Sequence, residues 1–308
     1  MIFGLEYATI QKERCDSMPT MIPAPGYGTD SDEYKTAQSR DYLVIKRNDA
    51  IQKRYFEITK DYGGSMTLLE QKILLYVISR IKPEDTELKE QTFDIAEFCR
   101  ICGINPKGGN YDIMKAAILK LRSRTMWLIT DEVETTVSWI AKARILKRTG
   151  KIKIQLDEDM IPYLLMLKEN YTMYPLHSII KMNTKYGILL YELLKSYCYR
   201  GEYIEFSVDE LKKNLDCMSY DKFTNIRIKV LEPAIKDINT YSELKVSAEY
   251  KKTGRSFTSV IFHVVDLRKS KKLEDMEEAS RRYHNVENDI YKENIFDTGV
   301  APGGKSNE

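Results

Sequence analysis

The chain has 308 residues, 43% of them hydrophobic, with 48 basic and 46 acidic side chains for a formal net charge of +2. That is enough apolar material for two modest cores and excludes wholesale disorder. No apolar run approaches bilayer length, and Met1-Ile2-Phe3-Gly4-Leu5 lacks the basic start and long apolar stretch of a secretory signal, so a cytoplasmic protein without membrane association is expected. An odd count of five cysteines fits a reducing compartment. The small net charge does not announce a nucleic-acid binder, but phosphate responds to local patches and not to totals.

In chain order, residues 1–40 carry Pro19, Pro23, Pro25, Gly26 and Gly28 among polar residues, with no sustained period, and read as a flexible arm. A first domain is expected over 41–160. It holds an amphipathic helix over about 67–81, opened by Thr67 and Glu70, with Leu68, Leu69, Ile73, Leu74, Val77 and Ile78 on its apolar face. A second helix follows at about 110–125 and a β-rich stretch at about 127–154. A second domain is expected over 161–268. Its helix at about 184–199 has Asn183 as the N-cap, its next long helix spans about 219–239, and strands fall near 243–250 and 257–265. Residues 269–308 read as a charged, flexible tail, with a short helix possible near 273–285.

The two domains repeat each other. Phe93-Asp94-Ile95-Ala96-Glu97-Phe98 echoes Phe206-Ser207-Val208-Asp209-Glu210-Leu211. In each copy an alternating strand ends on a small polar residue with Glu three positions later, the capping-box arrangement of a helix start. Ile113 and Ile226 each lie 20 residues beyond the Phe that opens their copy. Each half therefore reads helix, strand, helix, helix, β-hairpin. That is the winged-helix form of helix-turn-helix, so the expected fold is α+β, two tandem winged-helix domains.

Basic residues gather where such a fold meets DNA. In the second half, Phe223, Ile226, Val230, Leu231, Ala234 and Ile238 form one face of a helix. Lys222, Asn225, Lys229 and Lys236 form the other, interrupted by Glu232. Arg227 projects nearer the apolar side, where an internal carboxylate competes with DNA for it. The hairpin tip Lys251-Lys252-Thr253-Gly254-Arg255 concentrates cations that a phosphate backbone would satisfy. In the first half, Lys115 and Arg122 share a helix face opposite Ile113, Ala117 and Leu121. A second basic turn carries Arg144, Lys147, Arg148, Lys151 and Lys153 around Gly150. A dimer surface is the competing use of this half, through the β-rich stretch with Trp127 and Trp139.

Three motifs carry no chemistry on this reading. Gly299-Val300-Ala301-Pro302-Gly303-Gly304-Lys305-Ser306 matches the phosphate-loop pattern, but only two residues follow it, too few for the helix whose N-terminus holds phosphate. Cys99-Arg100-Ile101-Cys102 lacks the further ligands of a zinc site. His177, His263 and His284 form no metal-clasping pattern. No catalytic residue, metal or cofactor is assigned.

The run from Phe223 to Asn239, Phe-Thr-Asn-Ile-Arg-Ile-Lys-Val-Leu-Glu-Pro-Ala-Ile-Lys-Asp-Ile-Asn, resembles the signature helix of plasmid replication initiators of the iteron-binding Rep family. Lys251 to Arg255 stands where that family has its basic wing. Tyr42 to Ile51, the Leu68 to Ile81 helix and Tyr186 to Tyr197 are also similar, so the resemblance covers roughly residues 41–265. It implies winged helices related by pseudo-twofold symmetry, theta-type initiation from direct repeats, and host replication proteins as partners. It also implies homodimers that bind an inverted repeat and repress the protein's own gene. By position, Lys222, Asn225, Arg227 and Lys229 would read bases, and Lys252 and Arg255 would hold phosphate. This helix is poorer in arginine than many relatives. A winged-helix repressor with no replication role is the alternative.

Overall fold

The computed structural model describes residues 42–52, 56–57, 65–82, 85–104, 110–129, 133–165, 167 and 170–267. The expected arm (1–40), tail (269–308) and phosphate-loop look-alike (299–306) lie outside them. The first half runs β1 (Leu43–Arg47), α1 (Asn48–Ile51), β2 (Phe56–Glu57), α2 (Leu68–Ile78), β3 (Gln91–Asp94), α3 (Ile95–Ile101) and α4 (Asn110–Ser123). Four strands follow, β4 (Thr125–Ile129), β5 (Glu134–Ser138), β6 (Ile140–Leu146) and β7 (Lys151–Leu156), and then a short α5 (Ile161–Leu164). The second half runs β8 (Tyr171–Pro175), α6 (Lys185–Tyr197), β9 (Tyr203–Ser207), α7 (Val208–Asn214) and α8 (Phe223–Ile226). A π-helical turn (Arg227–Leu231) leads into α9 (Glu232–Tyr241), followed by β10 (Leu244–Thr253) and β11 (Ser256–Asp266).

The sequence repeat is a repeat of topology. One antiparallel sheet has the order β3-β7-β6 and another the order β9-β11-β10. In both, the strand that leads into the short helix pairs with the second strand of the closing hairpin. The first half departs from the expected plan by one extra hairpin. Between α4 and β6, strands β4 and β5 pair with β2 in a separate sheet, β2-β4-β5, so the single β-rich stretch expected over 127–154 is two hairpins.

Helix starts follow the polar side chains, with two corrections. Thr67 and Ser207 form complete capping boxes with Glu70 and Glu210. Asp94 caps α3 alone, accepting from the amides of Ala96 and Glu97, because the Glu97 carboxylate pairs with Arg100 on the same helix. The N-cap of α6 is Thr184, whose hydroxyl accepts from the Gly187 amide at 2.9 Å; Asn183 instead gives its own amide to Asp237.

The helix phases bring a third correction. In α4 the buried residues are Met114, Ala117, Ile118 and Leu121, spaced three, one and three apart, while Ile113 is 51% exposed. The structural counterpart of Ile226 is therefore Met114, and Ile113 does not face Lys115 across the helix from within the core. Trp139 is buried as well, which removes it from any partner surface.

The halves are joined by more than a linker. β1 pairs antiparallel with β8 from Leu43↔Pro175 to Arg47↔Tyr171. Beneath that ribbon, Glu192 of α6 accepts from the Tyr174 hydroxyl and pairs with Lys46, all three side chains buried. Buried charge is tolerated only with such partners. Asp237 of α9 accepts three bonds at the start of α6, from the amides of Asn183 and Thr184 and the Thr184 hydroxyl. Gly187 is required there, because a Cβ would stand 2.9 Å from the Cβ of Asp237. The helix that carries Lys222 to Lys236 is thus fixed at its far end to α6.

Candidate nucleic-acid interface

Residues 223–241 form one rod with a widened turn inside it. Pro233 causes the widening: it has no N–H to give the carbonyl of Lys229, and its ring crowds that carbonyl. The Glu232 amide instead bonds the carbonyl of Arg227, five residues back. The widening lets Ile226 ahead of the turn, Val230 and Leu231 within it, and Ala234 and Ile238 beyond it all face the core. Regular α geometry would swing Leu231 away from Ile226. The opposite side presents Lys222, Thr224, Asn225, Ile228, Lys229, Glu232 and Lys236, all exposed.

The hairpin behind the rod closes in a two-residue turn, Gly254-Arg255, with Thr253 paired to Ser256. Gly254 takes φ +63°, a conformation that a two-residue hairpin wants at its first position and that glycine adopts freely. Opposite the Lys251–Lys252 step, Thr258 of β11 is bulged out of register, and the two lysines, adjacent in β10, point to opposite faces. Lys251 lies on the outer sheet face, bonded to Glu205 at 2.9 Å; that hydrogen bond, with a second from Ser259, holds the Glu205 carboxyl below its usual range. Lys252 lies on the rod side, its ammonium 4.5 Å from the centre of the Phe257 ring.

Aromatic rings join rod and hairpin. Phe223 stacks on Phe257 with centroids 4.4 Å apart and meets Tyr250 edge-on at 5.6 Å. Lys222, next to Phe223 in the chain, is thereby set beside the hairpin that carries Lys252 and Arg255. Lys222, Asn225, Lys229 and Arg255 make no side-chain hydrogen bond or ion pair with any described residue. Arg227 differs: it pairs with Glu232 at 3.4 Å and lies 5.9 Å from the centre of the Tyr250 ring. The internal carboxylate that competes for it is real, and its place is at the joint between rod and hairpin. The sequence reading missed the aromatic joint, although Phe223 and Tyr250 adjoin Lys222 and Lys251 in the chain and Phe257 lies two residues past Arg255.

The first half repeats the arrangement in outline. Lys115 and Arg122 are exposed on α4, and the Arg122 guanidinium donates to the Ala141 carbonyl of β6 at 3.3 Å, tying the helix end to its hairpin. Lys147, Arg148 and Lys151 are exposed at the β6–β7 tip, where Arg148 and Gly150 both take positive φ. Arg144 and Lys153 instead share Glu90 at 2.9 and 3.3 Å.

Other candidates stay inert. Cys99 and Cys102 are buried, and burial pushes both thiols up, Cys99 to about 11, so neither offers thiolate at neutral pH. Among the described residues no group of three or more His, Cys, Asp or Glu side chains is arranged to hold a metal ion, and no helix is long and apolar enough to cross a membrane.

Residues 43–195 match the family described as "Initiator Replication protein, WH1", and residues 207–264 match "Initiator Rep protein, WH2". The chain belongs to the replication initiator family. It is similar to an Escherichia coli protein named "Replication initiation protein", 28% identical over 233 residues, which covers 72% of this chain and 69% of that relative. Its fold is that of a solved structure described as "Crystal structure of Pi initiator protein in complex with iteron DNA". The TM-score is 0.60 at 19% identity, over 74% of this initiator and 99% of the Pi chain. Domains 2–3 of RctB superpose more loosely, with a TM-score of 0.42 at 12% identity over 69% of this chain and 86% of that one. The initiator is therefore a tandem winged-helix protein of α+β class, as its sequence led one to expect.

Proposed function

We propose that this protein binds duplex DNA sequence-specifically at directly repeated origin sites and so starts plasmid replication in the cytoplasm. The second winged helix (161–268) makes the main contact, with Lys222, Asn225 and Lys229 in a major groove and Lys252 and Arg255 on phosphate. The first (41–160) adds Lys115, Arg122, Lys147, Arg148 and Lys151 along the backbone. One observation carries this reading: exposed cations and an amide on the rod, unpartnered among the described residues, are fixed by stacked rings against a hairpin with a cationic tip. Family membership and a neighbour whose description names iteron DNA support it.

Opening the origin is then a matter of bending DNA and recruiting host replication proteins, with no bond made or broken by this chain. A homodimer that represses its own gene at an inverted repeat is part of the proposal. Strand β5 supports it, an edge strand with Glu134, Thr135 and Thr136 exposed, since such an edge can pair with a second copy. Gel shifts with the repeats beside its own gene test the reading. Selective retention of the repeats over random duplex at moderate salt is expected. Equal binding to both overturns it.

A further inference from the structure

We propose that Ile228 is a base-reading residue, packing against the 5-methyl group of a thymine in the major groove. The proposal rests on the DNA reading above and specifies part of its target. Ile226 and Val230 are 1% and 0% exposed, and Ile228, two residues from each, is 49% exposed. Two steps along a helix is close to half a turn, so Ile228 stands opposite the core. It is the crest of the rod, the part that enters a groove most deeply.

Scattered surface aliphatics are ordinary and need no account. This one is placed differently. It stands between exposed Thr224 and Glu232 in one row, beside exposed Asn225 and Lys229 in the next. Polar and cationic side chains surround the crest, yet the crest itself is apolar and β-branched. The apolar group that a base pair shows in the major groove is the thymine methyl, and Thr and aliphatic side chains are its usual readers. Asn225, three residues before Ile228 and so on the neighbouring part of the same face, has the amide that suits adenine N6 and N7. Thr224, Asn225 and Ile228 together fit an A·T-containing step, with Lys222 and Lys229 on its flanks. A lysine at 228 would instead favour the acceptors of guanine.

The test uses a site recovered by the full-length chain from a random-sequence duplex pool. Each thymine in turn is replaced by deoxyuridine, which removes the methyl and keeps the hydrogen bonds. One position should weaken binding about three- to fivefold, the value of burying one methyl group. Ile228→Ala should lose a similar factor on the thymine site and become indifferent to uracil at that position, while Ile228→Val keeps part of the sensitivity. Repeat-specific binding that tolerates uracil everywhere, or an unchanged thymine preference in Ile228→Ala, overturns the role of Ile228 alone. Failure to enrich any site overturns the DNA reading itself, and this inference with it.

Discussion

Phe223, the first residue of α8, lies flat against Phe257 of β11, their ring planes 24° apart. Through this contact the helix that would enter DNA and the hairpin that would flank it become one body. Neither ring is fully buried, so the pair contributes more to geometry than to the core. Phe223→Leu should cost about 1 kcal/mol of stability, with a coupling to Phe257→Leu of about 0.5–1.5 kcal/mol in a double-mutant cycle. DNA affinity should fall further than stability, because rod and wing then dock separately. Urea unfolding and duplex binding, measured on the same four proteins, check both parts.

Arg255 and Lys251 sit four residues apart at one hairpin tip but should behave differently. Arg255 has no partner among the described residues, whereas Lys251 is bonded to Glu205 on the sheet face away from the rod. Arg255→Ala should weaken every duplex and lower the slope of log affinity against log salt by about one. Lys251→Ala should leave that slope nearly unchanged. Equal slopes for the two variants would contradict the assignment of faces. A salt titration of binding between dilute and physiological ionic strength separates them.

The sequence made the doubled topology legible because each copy carries the same local signals: a strand closed by a capping residue, then amphipathic helices, then a hairpin with a basic tip. What it concealed were effects of more distant residues. Ile113 reads as a core position by its distance from Phe93, yet it is 51% exposed and the neighbouring Met114 is buried in its place. By type Asn183 is the better cap, yet Thr184 caps α6: the Asn183 side chain donates to the Tyr241 hydroxyl, while Asp237, 53 residues beyond Thr184, accepts from the Thr184 amide and hydroxyl and so sets that residue at the helix start. The π turn follows from Pro233 acting on Lys229, which a fixed helical period cannot show. The lysines at 251 and 252 point to opposite faces as neighbours in a strand must, but only the fold shows that one faces Glu205 and the other Phe257. At the site, then, residue types were readable and partners were not.

Lys195 of α6 pairs with Glu243 at 3.0 Å and Asp266 at 2.7 Å, with its own side chain only 8% exposed. Lys195→Met should cost about 3–5 kcal/mol, because Glu243 would remain buried without a cation. Burial opposes the charge on Lys195, but Glu243 and Asp266 outweigh it and hold its pKa above the ordinary 10.5. A lysine raised in the native state stabilises fully below its unfolded pKa and loses that contribution as pH climbs through the folded value. Burial, with Glu192 beside Tyr174 and Glu243 beside Tyr191, holds both phenols well above 10, so their contributions also fade in alkali. Stability should be flat through neutral pH and fall above about 10. Tyrosinate absorbance should rise together with loss of helix ellipticity; ionisation of Tyr174 and Tyr191 in the folded state would contradict the network.

Gly187 offers a test of the joint between α6 and α9. Alanine is the better helix former by about 1 kcal/mol, so Gly187→Ala in an open helix would stabilise. Here the new methyl would meet the Asp237 Cβ at 2.9 Å. That atom is the root of its side chain, and Asp237 is further held by the three bonds it accepts from Asn183 and Thr184, so it cannot swing aside. Overpacking of this kind costs about 1–3 kcal/mol, and the net effect should be destabilisation by about 1 kcal/mol. Because α9 continues the rod that carries Lys222 to Lys236, the strain should also tilt that rod against DNA. Affinity for a selected site should then drop several-fold at temperatures where the variant is fully folded. A stabilised Gly187→Ala protein with unchanged affinity would show that α6 and α9 approach less closely than the fold places them.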